Sequence, residues 1–200
     1  MPPAVRRPRL HERQTWIDGE YAYLAELYDR VVAPTITRHS PVLRAAPDLD
    51  DTWWEELNST LDAIAAVPTD RVAVRQEYLD RAMPHYLGVP VDTIAPAWTT
   101  AHGDLHWANL TGPTLALLDW EGWGIAPAGY DAALLHAYSL LVPRTAAAVR
   151  NRLAHILGTP SGRFAELVVI TELLQTTTRG DNLDLEVPLR ERLAGLLEEQ

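Results

Sequence analysis

Apolar residues recur at helical spacing along most of this chain, and the pattern breaks in one central stretch. From Glu20, the positions Leu24, Leu27, Tyr28, Val31 and Val32 follow one another at the spacing of an amphipathic stripe, predicting a helix that Pro34 ends. Asp50 or Asp51 is placed to cap a second helix, with Trp54, Leu57, Leu61 and Ile64 on its buried face and Pro68 as its stop. Thr69 or Asp70 can cap a third, with Val74, Tyr78 and Leu79 inward and Pro84 near its end. After Asp131 the helical period returns through Leu134, Leu135 and Tyr138, then Val149, Leu153 and Ile156, then Phe164, Leu167 and Val168, and last Leu189, Leu193 and Leu196. Pro143, Gly158-Thr159-Pro160 and Pro188 punctuate these segments. Only the middle differs: Trp98–Ala101 and Leu115–Trp120 are short β-prone runs, and the Gly112-Pro113-Thr114 turn between them predicts a tight β ribbon. With no internal repeat, the expectation is one α+β domain, mainly α, carrying a small β ribbon at its centre. Met1–Arg13, rich in proline and arginine, reads as an arm.

Composition removes many chemistries. Of 200 residues, 47% are hydrophobic and 22% charged, the balance of a soluble globular domain. No apolar stretch approaches the roughly 20 residues of a membrane span, and the start lacks the apolar core of a signal peptide, so a cytoplasmic protein with no membrane partner is expected. The absence of cysteine excludes disulfides, thiolate metal sites and cysteine nucleophiles. A formal net charge of -10 argues against nucleic acid and suits cationic small molecules or metal ions. All 17 basic residues are arginine; without lysine there can be no Schiff base and no lysine-bearing phosphate loop.

The polar residues of the central segment, TAHGDLHWANLTGPTLALLDWEGWGIAPAGYDA from Thr100 to Ala132, are not arranged for packing. Asp104 is followed five residues later by Asn109, and Asp119 closes an apolar run. Kinase catalytic loops hold their base and a metal-binding amide at that separation, with a further metal-binding Asp downstream. Phosphoryl transfer needs positioning more than covalent chemistry, and magnesium prefers one or two carboxylates, an amide oxygen, waters and phosphate oxygens. Asn109 and Asp119 supply such ligands and leave Asp104 to accept a hydroxyl proton. Two other readings use the same residues. Asp and Asn could serve only as turn residues, or His102, Asp104 and His106, alternating along an extended strand, could bind zinc in a metallohydrolase. Trp107, Trp120 and Trp123 read as core anchors, or as the lining of an acceptor pocket facing an ammonium group; His106 and Glu121 are further candidate substrate contacts. The acidic stretch with Asp181, Asp184, Glu186, Glu191, Glu198 and Glu199 is a solvated helix face or a wall for an amine.

His102-Gly103-Asp104-Leu105 through Asn109, Leu118-Asp119-Trp120-Glu121 and Gly129-Tyr130-Asp131 together resemble the aminoglycoside phosphotransferase and choline kinase-like family. The resemblance implies a protein-kinase-like fold, of which the helical segments would form the C-terminal lobe. It implies Asp104 as catalytic base, Asn109 and Asp119 as magnesium ligands, and His102 and Asp131 as structural supports of the catalytic loop. It further implies ATP or GTP as phosphate donor and a small hydroxyl-bearing molecule as acceptor, such as an aminoglycoside or an amino alcohol. Trp16-Ile17-Asp18-Gly19-Glu20 is similar to the hinge between the family's lobes, so residues 1–19 read as an arm with a remnant of the N-terminal lobe and residues 20–200 as the catalytic lobe. The family's Gly-rich loop and lysine have no counterpart here. That departure predicts an absent or truncated β lobe, leaves a catalytically inactive or truncated binding module as the alternative to an enzyme, and predicts self-association over the apolar surface left uncovered.

Overall fold

A computed structural model describes residues 1–198; Glu199 of the acidic stretch lies outside the described residues. Strands β1 (Leu10–Asp18) and β2 (Tyr21–Tyr28) form an antiparallel hairpin, followed by a long loop into helix α1 (Asp51–Ala65) and then α2 (Gln76–Leu87). Strand β3 (Trp98–Ala101), the loop of residues 102–123 and strand β4 (Gly124–Pro127) make the central β unit. Five helices complete the chain: α3 (Tyr130–Ala137), α4 (Pro143–Arg152), α5 (Ala154–Leu157), α6 (Pro160–Thr177) and α7 (Glu186–Glu198). Helix α6 is the axis of the body. It packs against α2, α3, α5 and α7 and buries residues around its whole circumference, from Phe164 to Leu174.

Helix α1 forms where its apolar spacing predicts. Asp50 caps it by accepting the N–H of Trp53 at 2.8 Å, and Leu57, Leu61 and Ile64 enter the core. Three expectations fail. The segment from Glu20 is strand β2, not a helix: Trp16 and Tyr23 are cross-strand partners whose rings stack at 5.2 Å, and the Gly19-Glu20 turn, with Gly19 at φ +60°, closes the hairpin. Every residue of both strands is exposed, so no core face enforced the helical period. The Trp16–Glu20 run, similar in sequence to a hinge, is the tip of this hairpin. Helix α2 starts at Gln76 rather than near Thr69, because residues 71–74 pair with β4: the Ile125 N–H donates to Arg71 O at 2.8 Å and the Ala73 N–H to Ile125 O at 2.9 Å. The β ribbon does not join Trp98–Ala101 to Leu115–Trp120. β3 pairs instead with β4, and the turn at Gly112–Thr114 closes only the Leu110–Leu117 bridge.

The N-terminal arm is docked rather than free. Val5 is 5% exposed, and the Leu117 N–H donates to Arg6 O at 2.7 Å. Of the acidic residues near the C-terminus, Asp184 pairs with Arg44 and Glu186 with Arg190 at 3.0 Å. Among the described residues no helix is long and apolar enough to cross a membrane.

Candidate functional site

The loop between β3 and the short helical turn Trp107–Asn109 carries the candidate chemistry, and a buried carboxylate shapes it. Asp131, in the first turn of α3, accepts the backbone N–H of His102 at 2.7 Å and that of Gly103 at 3.0 Å. Burial pushes the Asp131 carboxyl above its ordinary range, opposed by neighbouring His102 and by the two N–H donors. Gly103 has φ +85°, and a Cβ there would sit 2.2 Å from Gly122 O, so the loop can press against residues 119–123 only with glycine at this position.

His102 is fully buried. Its Nε2 donates to Leu118 O at 2.9 Å, and Nδ1 accepts the Asp104 N–H at 3.3 Å. Burial lowers its pKa and outweighs the carboxylates around it, so the ring stays neutral. Both nitrogens are committed to the backbone, leaving no lone pair for a metal. The zinc reading of His102, Asp104 and His106 is thereby corrected, and among the described residues no group of three or more His, Cys, Asp or Glu side chains could hold a metal ion.

Asp104 is 46% exposed at its side chain. The Nδ2 of Asn109 donates to Asp104 O at 2.9 Å and to Asp104 Oδ2 at 3.2 Å, and His106 Nε2 lies 3.5 Å from the same oxygen. Partial burial alone would raise the carboxyl's pKa. The neighbouring imidazole of His106 and the hydrogen bond from Asn109 together hold it below its ordinary value. Asp104 is therefore an ionised, solvent-reachable acceptor in a fixed position. Asn109 spends its amide N–H on Asp104, so its carbonyl oxygen is the atom left to face a cation.

Asp119 is tied to the same region by the backbone bond from the Leu118 N–H to Asn109 O at 2.9 Å. It is exposed and holds φ +59°, a conformation non-glycine residues rarely adopt and Asp tolerates better than most. Arg71 steadies the loop that follows: Nη2 donates to Glu121 O at 2.7 Å, Nε to Trp123 O at 3.0 Å, and the guanidinium lies 5.2 Å from the Trp123 ring. A cavity of about 720 Å³ opens between this loop and the β1–β2 hairpin, with Asp119, Glu121, Trp120 and Trp123 on one side and Arg13, Leu24 and Glu26 on the other.

The expected site residues thus sort into groups. Asp104, Asn109 and His106 touch one another, Asp119 adjoins them through the backbone, and His102 and Asp131 lie beneath the loop. Glu121 lines the cavity. Trp107 does not reach the surface: it is fully buried, stacks on Trp53 at 6.4 Å, and donates its indole N–H to Ser139 Oγ at 3.0 Å, so it is a core residue and makes no substrate contact. Arg13, Arg71 and Glu26 were not singled out from the sequence. An exposed arginine in a chain with 17 of them gives no signal until the hairpin places it on the wall of the cavity that Asp119 also lines.

No family model matches the chain, and no curated protein matches it by sequence. Among solved structures, the crystal structure of aminoglycoside phosphotransferase APH(4)-Ia is similar at a TM-score of 0.62 and 14% identity, over 99% of this chain and 78% of that one. A thermostable mutant of the same enzyme in its apo form is similar at a TM-score of 0.61 and 15% identity, over 100% of this chain and 79% of the other. At that identity the likeness establishes a shared kinase-like fold.

Proposed function

We propose that this chain is a kinase-like phosphotransferase that moves the terminal phosphate of a nucleotide, ATP or GTP, to a hydroxyl of a small molecule. The observation that carries the reading is the joining of Asp104 and Asn109 by two hydrogen bonds on a loop pinned by Asp131, within the fold of APH(4)-Ia. Asp104, ionised and reachable, accepts the proton of the attacking hydroxyl and fixes that oxygen in line with the phosphate. Asn109, through its carbonyl oxygen, and Asp119, through its exposed carboxylate, are the residues that would hold magnesium, a hard cation suited to this oxygen donor set. When bound, the metal offsets negative charge on the transferred phosphoryl group. His102 and Asp131 keep the loop rigid beneath these groups. Gly103 and Gly122 permit the close approach of the two loops, which bears on rate because positioning supplies most of the catalysis in this chemistry.

The formal charge of -10 favours a cationic acceptor such as an aminoglycoside or an amino alcohol. The test is phosphate transfer from terminally labelled ATP and GTP to a panel of aminoglycosides and amino alcohols with magnesium. We expect labelled product with the unmodified chain and at least a hundredfold less with Asp104→Ala, on the order of what a positioned general base contributes. Transfer that survives Asp104→Ala removes the base assignment. Nucleotide binding without transfer to any acceptor would instead support a non-catalytic binding module.

A further inference from the structure

Kinase-like sites place a lysine, itself held by a glutamate, against the nucleotide phosphates, and this chain contains no lysine. The cavity between the hairpin and the Asp119 loop nevertheless carries three guanidinium groups, Arg7 from the N-terminal arm, Arg13 from β1 and Arg71 from the segment before α2, alongside the carboxylates of Glu26, Asp119 and Glu121.

Arg13 has the setting of a held cation. It lies on β1 directly opposite Glu26 on β2, and its Nε is 3.6 Å from Glu26 Oε1. Glu26 is in turn fixed by the hydroxyl of Tyr28, which donates to Oε2 at 2.6 Å. The Arg13 side chain is 62% exposed and lines the cavity that Asp119 also lines. Arg71 differs: two of its nitrogens already serve the carbonyls of Glu121 and Trp123, so its main task is to hold the loop.

We propose that Arg13, oriented by Glu26, binds the polyphosphate of the nucleotide, the role a lysine–glutamate pair has in other kinase-like sites. The inference rests on the phosphotransferase reading above and deepens it by naming the chain's own phosphate-binding cation. The chemistry suits the substitution. A guanidinium offers a planar fork of donors that can engage two phosphate oxygens together, whereas an ammonium acts as a point charge. The carboxylates of Asp119 and Glu121 on the facing wall would repel a bare polyphosphate, so binding should depend on magnesium as well as on Arg13.

The experiment is calorimetric titration of the full chain with ATP, adenosine and inorganic tripolyphosphate, each with magnesium. It compares the unmodified protein with Arg13→Ala, Arg13→Gln, Glu26→Gln and, as a charge-matched control outside the cavity lining, Arg9→Ala. Arg13 is exposed, and thermal melts of both Arg13 variants verify that the fold survives. We expect Arg13→Ala and Arg13→Gln to weaken ATP about 10–100-fold, the loss of one or two charge-assisted hydrogen bonds, and to leave adenosine unchanged. Glu26→Gln should weaken ATP less, and Arg9→Ala less than twofold. If ATP binds the Arg13 variants within twofold of the unmodified protein, Arg13 is not the phosphate ligand and the phosphotransferase reading stands without it. Tripolyphosphate binding that needs Arg13, with ATP no tighter than tripolyphosphate, would keep the anion site and remove the nucleotide. Binding of neither ATP nor tripolyphosphate by the unmodified chain overturns both readings.

Discussion

Replacing Asp131 with alanine should loosen the loop that carries His102 and Gly103 before it affects anything else. The carboxylate is buried and accepts two backbone N–H groups, from His102 at 2.7 Å and Gly103 at 3.0 Å. Alanine leaves both donors without a partner, at about 1–3 kcal/mol each. Removing a buried charge returns part of that cost, since burial already raises the Asp131 pKa. The expected net loss is about 3 kcal/mol, which for a chain of this size lowers the melting temperature by about 6–12 °C. Asp131→Asn keeps one acceptor oxygen and sets an amide N–H against the second donor, so its loss should be about half as large. Thermal unfolding followed by far-UV circular dichroism at pH 7.5, with urea midpoints as a second measure, reads both variants. A melting temperature for Asp131→Ala within about 1 °C of the unmodified protein would refute the argument, because it would mean that the two N–H groups find other partners at no cost.

Further outcomes follow from the same geometry. Gly103→Ala sets a Cβ 2.2 Å from Gly122 O at φ +85°, so we expect about 2–4 kcal/mol of destabilisation; equal stability in urea would show that the two loops are not in contact. Glu166 is buried among His136, Arg150 and Arg192. Burial by itself would raise its pKa, but the hydrogen bonds and charges of His136 and Arg192 dominate and lower it to about 2. Its contribution, about 3 kcal/mol, is present above the unfolded value near 4.5 and is lost as pH falls toward 2, and Glu166→Gln should remove that acid dependence. Glu172, which accepts the Tyr130 hydroxyl, titrates the other way: burial raises it to about 7. Its effect is a decline in stability as pH rises from about 4.5 to 7, and Glu172→Gln should flatten that decline. Trp107→Ala should cost about 3–5 kcal/mol as a core deletion; a melting temperature equal to that of the unmodified protein would return Trp107 to the surface.

The grouping of the central polar residues was legible in the sequence: Asp104 and Asn109, five residues apart, are hydrogen-bonded to each other, and the backbone bond from Leu118 to Asn109 brings Asp119 beside them. Helix α1 could be read because a capping Asp50 precedes a true core stripe. The hairpin was misread because Leu24, Leu27 and Tyr28 fit a helical period by coincidence, while the Asp18-Gly19 turn signal and the Trp16–Tyr23 pairing argued for strands. Trp107 was ambiguous for a related reason: a tryptophan beside a polar loop looks the same in sequence whether it faces solvent or Trp53. The pairing of β4 with both β3 and residues 71–74 depends on chain segments far apart, which local pattern does not report.

Calorimetric titration with magnesium and ATP, run on the unmodified chain, Asp119→Ala and Asn109→Ala, tests the account most directly. The account predicts magnesium-dependent binding that Asp119→Ala abolishes and Asn109→Ala weakens, with the melting temperature of the exposed Asp119→Ala variant close to that of the unmodified chain. Magnesium-dependent binding of equal strength in all three proteins would contradict it, since the metal would then be held by other residues.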